Sequence, residues 1–302
     1  MEGKMNDGYF DSIPKERTLD HNIMASKIND LIEFYINNID RGFPFKKFVA
    51  KNGRGMFLTF AYVAKNTYRS ILFLCDMVSK DPARRIEYSI SSIPLLRVIL
   101  EEIFTLVFIS EDVEKRIEWY HKAGWRESKE EYDRCLALYG KDNNWATWFM
   151  EYQNHLDKAK KLFDITATEF SNPEKNILRW PTPGRMKNHV KSSVLTDFMQ
   201  YLQDWYYKQF SQASHLTYPG LAVMGSHFLP SVSATKENNL KKLRSDCAFH
   251  SITLILAFFS EVENILKFSH KEELKYLWTV VGEYWEYAKE LYDRRYQSLL
   301  KV

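Results

Sequence analysis

Residues 93–109 read IPLLRVILEEIFTLVFI, an apolar run with three charges, Arg97, Glu101 and Glu102, set inside it. At about 100° per residue the run is apolar all round. Ile90, Ile93, Phe104 and Phe108 flank the direction of Arg97, while Leu95, Ile99 and Leu106 lie opposite. Such a helix belongs at the centre of a fold. Arg97 and Glu101 stand four residues apart on one face, so a charge-assisted pair within the helix is available to them. Glu102 points about 100° further round and needs a partner of its own, hydration in a cavity, or a proton, because burying an unpaired charge costs several kcal/mol. The trio reads either as a structural ion-pair set between packed helices or as the centre of a site.

Outward from this helix, the pattern remains helical. Hydrophobic residues make up 45% and aromatic residues 15% of 302 positions, enough for a real core without disulfide staples. Gly and Pro are few, 11 and 9, and no alternating strand pattern recurs, which predicts an all-α multi-helix bundle of about eight to ten helices. Residues 1–17 are read as a flexible N-terminus and 18–302 as one helical domain, with Asp20 as a helix cap. Pro94 marks either a kink or a restart after Ser91 and Ser92. The charged stretch 111–140 is expected as a surface hairpin, 164–192 as a long loop, and 271–302 as a C-terminal helix. Leu277, Val281, Tyr284, Ala288 and Leu291 fall near a 3.5 spacing in that last helix, a seam for internal docking or for a homodimer.

The charge balance, 42 basic against 39 acidic residues, argues for neither a nucleic-acid coat nor an anionic membrane. Cys75, Cys135 and Cys247 lie far apart with no CxxC, which fits a reducing compartment. The start of the chain lacks the apolar core of a secretory signal, and residues 247–260, CAFHSITLILAFFS, are too short for a span, so a cytoplasmic, membrane-free protein is expected. No Walker loop, GxGxxG, HExxH or GxSxG is present, and no Cys/His spacing suits zinc, so neither a metal site nor a cofactor is expected.

His215 stands at the expected carboxyl end of a helix spanning 193–214, where the dipole favours an imidazolium that can serve as acid, base or anion ligand, or simply as a cap. Arg179, Trp180, Arg185 and Lys187 form a small basic and aromatic cluster in the long loop, read as a solvated loop with an anchoring tryptophan or as a binding segment.

The pattern LLRVILEE at 95–102, followed far downstream by SQASHLTYPGL at 211–221, resembles a family of prokaryotic all-helical proteins of unknown function. That family is loosely grouped with the HEPN superfamily (higher eukaryotes and prokaryotes nucleotide-binding), many members of which are RNases of phage-defence or toxin systems. The resemblance implies a HEPN-like core with added helices, RNA or a nucleotide as partner, and metal-independent chemistry at Arg97, Glu101 and His215, with Ser211 and Ser214 beside them. Glu102 and Tyr218 are added as substrate-binding candidates. HEPN RNases carry an Arg followed after four to six residues by His, and two formal matches occur, Arg116 with His121 and Arg244 with His250. Composition alone gives roughly one such match by chance. Arg244 and His250, on the edge of an apolar helix, are the better pair; Arg116 and His121 are read as solvated surface.

Overall fold

The computed structural model describes residues 21–42, 53–76, 88–214, 218 and 233–301. Among them there is no strand, and twelve helices, ten of at least seven residues, form the all-α bundle that the sequence predicts. The expected N-terminal tail at 1–17, the Asp20 cap and His215 lie outside the described residues.

Helix α1 spans His21–Arg41, α2 Arg54–Asp76 and α3 Ser92–Ser110. A 3-10 turn at Ser89–Ser91 leads into α3, so Pro94 falls in its first turn, where a missing N–H breaks no helical bond. The restart reading of that proline holds. Buried side chains occur on every side of α3, as the all-round apolar wheel requires, and α3 packs most extensively against α10 (Ser233–Leu266) and α2.

The stretch 111–140 corrects the expected hairpin: it is one helix, α4, Val113–Tyr139. Asp112 caps it by accepting from the Lys115 N–H. Pairs four residues apart, Lys122 with Glu118 at 2.9 Å, Arg126 with Glu130 at 2.6 Å and Lys129 with Asp133 at 2.5 Å, run along it. Gly124 does not break the helix, since a mid-helix glycine costs about 1 kcal/mol against alanine, roughly what three such pairs return. The chain reverses after Gly140, and α5 (Ala146–Leu162) lies back on α4. Trp125, Leu156, Ile165 and Ile177 close a second, smaller core under this arm.

The expected loop at 164–192 is a string of short capped turns: α6 (Ala167–Ser171), α7 (Pro173–Asn176) and α8 (Pro183–Met186) with a 3-10 turn at Lys187–His189. Thr166 and Glu169 form a capping box, and Asn172 accepts from the Lys175 N–H, so residues that read as loop formers serve as helix caps. Helix α9 runs Ser193–Leu202, passes through a π turn at Gln203–Tyr207, and resumes at Lys208–Ser214.

Residues 271–302 do not form one helix. Helix α11 (Lys271–Tyr284) ends at Trp285, whose φ of −137 and ψ of 102 are extended, and α12 follows as Glu286–Leu291, a π turn at Tyr292–Tyr296, and Gln297–Leu299. Leu277, Val281, Ala288 and Leu291 of the predicted seam are buried within the chain itself, so internal docking already occupies them. Lys241–Leu266 of α10 is long and apolar enough to cross a membrane, yet 89% of its most apolar window is buried in the bundle, which is how a core helix passes the same test.

Candidate functional site

The Arg97 and Glu101 pair forms as the spacing predicts. Arg97 Nε donates to Glu101 Oε1 at 2.7 Å. A third member, which the sequence reading missed, is Tyr207: Arg97 Nη2 donates to its hydroxyl at 3.1 Å, and the hydroxyl donates to Glu101 Oε1 at 3.3 Å. The guanidinium also lies 5.1 Å from the centroid of the Tyr207 ring. Burial works against the Arg97 charge, but Glu101 and Tyr207 outweigh it and raise the pKa; the Tyr207 phenol is raised by burial and by the Glu101 charge. Tyr207 closes the π turn of α9, and such an inserted turn rotates the following register, a device frequent at functional sites.

Glu101 also lines a cavity of about 540 Å³, within the range of small-molecule sites. Helix α3 contributes Glu101 and Thr105; α4 contributes Tyr120, His121, Gly124, Glu127 and Ser128; α5 contributes His155 and Ala159; Trp180 to Pro183 close the side. Trp180 is fixed by rings at 5.0 Å (Tyr120), 5.4 Å (Trp119) and 5.1 Å (Phe108). His121 stacks on Phe163 at 4.4 Å with only 7° between planes. Burial raises the Tyr120 phenol, and the charges of Glu102 and Glu127 add to it. A Cβ built on Gly124 would meet nothing within 4 Å, so this glycine leaves the α4 backbone bare on the cavity wall. No lysine or arginine is among the described residues that line the cavity.

The remaining candidates separate. Glu102 points into the core, only 8% exposed, and its Oε2 has no hydrogen-bond partner. Burial pushes its pKa up to about 9, so it is protonated at neutral pH, and no basic residue pairs with it among the described residues. It does not line the cavity. Ser214 Oγ donates back to the Phe210 carbonyl at 2.7 Å within its own helix, Ser211 is half-buried on the same turn, and Tyr218 is 86% exposed.

Arg244 and His250 do not face one another. His250 is 7% exposed, ringed edge-on by Tyr206 at 5.7 Å, Phe210 at 5.7 Å and Trp285 at 5.2 Å, with Nδ1 unpartnered. Burial lowers its pKa to about 4, which leaves it neutral and shielded from solvent protons. Arg244 is half-buried and, six residues earlier on α10, points about 120° away around the helix.

The Arg116 and His121 match divides differently. Arg116 is buried rather than solvated: its guanidinium pairs with Glu111, donates to the Phe108 carbonyl and, at 2.9 Å, to the His189 carbonyl. Glu111 in turn accepts from the Lys191 and Ser192 N–H groups at 2.8 Å each, so the pair staples α3, α4 and the start of α9. Only His121 reaches the cavity. Of the basic cluster in the connecting segment, Arg179 pairs with Glu130 at 2.6 Å and Lys187 with Gln200, and only Trp180 serves the cavity as a wall.

No protein-family model, no curated protein and no solved structure matches this chain. The class it defines is therefore the one its own geometry gives, an all-α bundle with an aromatic-walled cavity beside a paired arginine and glutamate on the central helix.

Proposed function

We propose that the protein binds a small organic molecule in this cavity, one with a planar part and a cationic or hydrogen-bond-donating part. The observation that carries the reading is Gly124, a glycine kept in the interior of a 27-residue helix with open space where its Cβ would stand, on the wall of the cavity. Glycine there costs the helix about 1 kcal/mol and returns only closer approach to the backbone. Around it, Trp180 and Tyr120 offer ring faces, and Glu127 offers a carboxylate without an ion-pair partner among the described residues. Arg97 and Tyr207 hold Glu101 at the edge.

Gly124 gives the test. Gly124→Ala should raise stability by about 0.5–1 kcal/mol, since alanine fits a helix better and meets nothing. Gly124→Leu should keep the fold and fill the cavity. Thermal shift and calorimetry with aromatic amines, beginning with tryptamine, should show stabilisation of the wild type, loss with Gly124→Leu and weakening with Glu127→Gln. Binding that survives Gly124→Leu removes the reading.

A second reading, an RNA- or nucleotide-directed protein with metal-independent RNase-like chemistry, is favoured by one feature, the two imidazoles of His121 and His155 that both line the cavity. Such a pair suits general acid and base roles in attack by a 2′-hydroxyl. The HEPN-like assignment, and with it a place in a defence or toxin system, rests on the resemblance alone. Comparing adenosine with its 5′-monophosphate separates the two readings: a wall with carboxylates and no lysine or arginine among the described residues should disfavour the phosphate, whereas an RNA-directed site should prefer it.

Arg97→Ala distinguishes both from a purely structural polar network. The pair is partly exposed, with side-chain exposures of 20% and 40%, so its loss should cost only about 1 kcal/mol of stability. A melting temperature that hardly moves while ligand binding disappears assigns the network to the site; a large drop in melting temperature with binding intact assigns it to packing.

A further inference from the structure

Helix α2 packs one face against α1, α3 and α10. Phe57, Ala61, Ala64, Tyr68, Ile71 and Cys75 form that buried side. The opposite side carries Thr59, Tyr62, Asn66, Arg69 and Phe73, all exposed. Phe73 is 61% and Tyr62 44% exposed, two large rings on one line of the helix. The spacing of this line alternates three and four residues, the repeat of a helix-to-helix seam. Asn66, Arg69, Ser70 and Phe73 border an open groove of about 550 Å³ that Leu74 closes at one end. Residues at i, i+3, i+4 and i+7 are the four that make the hole into which a facing helix inserts a side chain. Along one edge Glu33 of α1 pairs with Lys65 at 2.5 Å and with Arg69 at 3.2 Å, and Arg69 Nε donates to Asn29 at 3.3 Å.

We propose that this face is a self-association surface, on which a second copy of the chain packs its own α2 antiparallel about a two-fold axis. With the axis level with residues 67 and 68, Tyr62 of each copy meets Phe73 of the other and Asn66 meets Arg69. The same stripe then supplies both knobs and holes: Asn66 and Tyr62 of one copy fill the groove that Asn66, Arg69, Ser70 and Phe73 form on the other. Charge selects the direction. A parallel pair in register sets Arg69 against Arg69, like charges across the seam. The antiparallel pair sets each guanidinium against the Asn66 amide oxygen, while Glu33 of its own chain holds its other side. Asn66 at a seam position fixes the register at some cost in affinity. One helix pair covers less than the roughly 1,000 Å² of a stable interface, so the dimer forms in the micromolar range. The homodimer seam expected at 271–302 cannot serve in its place, because Leu277, Val281, Ala288 and Leu291 are buried within the chain.

Analytical ultracentrifugation of the full chain across the micromolar range tests this. The expected result is a reversible equilibrium between monomer and dimer. Phe73→Asp and Tyr62→Asp should each weaken it by more than about tenfold, the effect of losing an aromatic anchor, and leave the circular dichroism of the monomer unchanged. Cysteines then read the direction. A chain carrying Tyr62→Cys, mixed with a chain carrying Phe73→Cys under mild oxidation, should give a disulfide-linked dimer on a non-reducing gel, since the mixed pair keeps one native Tyr62 and Phe73 contact. Neither variant alone, nor the wild type, should give that band. A monomer at every concentration, a dimer that Phe73→Asp leaves intact, a mixture that does not cross-link, or Tyr62→Cys linking to itself would each overturn the proposal.

Discussion

Arg295→Ala should destabilise the protein by about 3–5 kcal/mol. Glu261 on α10 has a fully buried side chain, and Arg295, 6% exposed, faces it from the π turn of α12. Arg295 Nε and Nη2 both donate to the carboxylate, the latter at 2.8 Å, so the pair is bidentate. Arg295 Nη2 also reaches Ser110 Oγ at 3.5 Å, at the end of α3, and the guanidinium stands 5.1 Å from the Phe198 ring of α9. One side chain therefore ties four helices. Burial opposes the arginine charge, and the Glu261 carboxylate overcomes it. Truncating Arg295 leaves a desolvated carboxylate with nothing to offset it. The double variant Arg295→Met with Glu261→Met should recover much of the loss, because two apolar side chains of similar volume remove both desolvation costs. Chemical denaturation of the three proteins measures this, and a double variant no better than the single would show that geometry rather than charge is what the pair supplies.

Glu102→Leu should do the opposite and stabilise the fold. The Glu102 carboxyl rises from an ordinary 4.5 to about 9 on folding. The folded state therefore holds a proton that the unfolded chain has released, and the wild type loses stability as pH rises from about 4.5 until it passes about 9. At about 1.4 kcal/mol per pKa unit, the penalty is of order 3 kcal/mol at pH 7 and has a ceiling of roughly 6 above pH 9. Leucine carries no such term. Unfolding free energies of wild type and variant should nearly coincide near pH 4 and separate steadily up to pH 9. Parallel pH profiles would show that the carboxyl titrates normally and is hydrated. Because Glu102 does not line the cavity, ligand binding should survive the substitution.

The two charged neighbours on the central helix show what can and cannot be read locally. Arg97 and Glu101 were legible as a pair because a spacing of four residues on a helix brings two side chains together whatever the rest of the chain does. The third member, Tyr207, was not, because it comes from a helix 110 positions away whose register is turned by a π insertion. His121, His155 and Trp180 likewise carry no local mark; they become a wall only where α4, α5 and the 180–186 segment pack together. Gly124 had a visible signal, a glycine inside a run of helix formers, of which the reading of 111–140 as a hairpin made no use.

His250 and Arg116 mislead for the same reason. A formal spacing to a partner says nothing about hydration, and hydration decides whether an imidazole titrates near neutrality or a guanidinium faces water. One is enclosed by rings and pushed to about 4, the other is buried as a staple on Glu111.

By itself, the sequence determined the all-α class, the central place of residues 93–109 and the Arg97 and Glu101 pair. Each follows from periodicity and contacts within a turn or two of helix, which the chain carries in its local order. Only the tertiary structure decided that Glu102 is protonated, that Tyr207 completes the polar triad, and that a cavity opens beside Gly124. Those depend on which distant surfaces exclude water from one another, a property of the packed bundle that no short stretch of the chain contains.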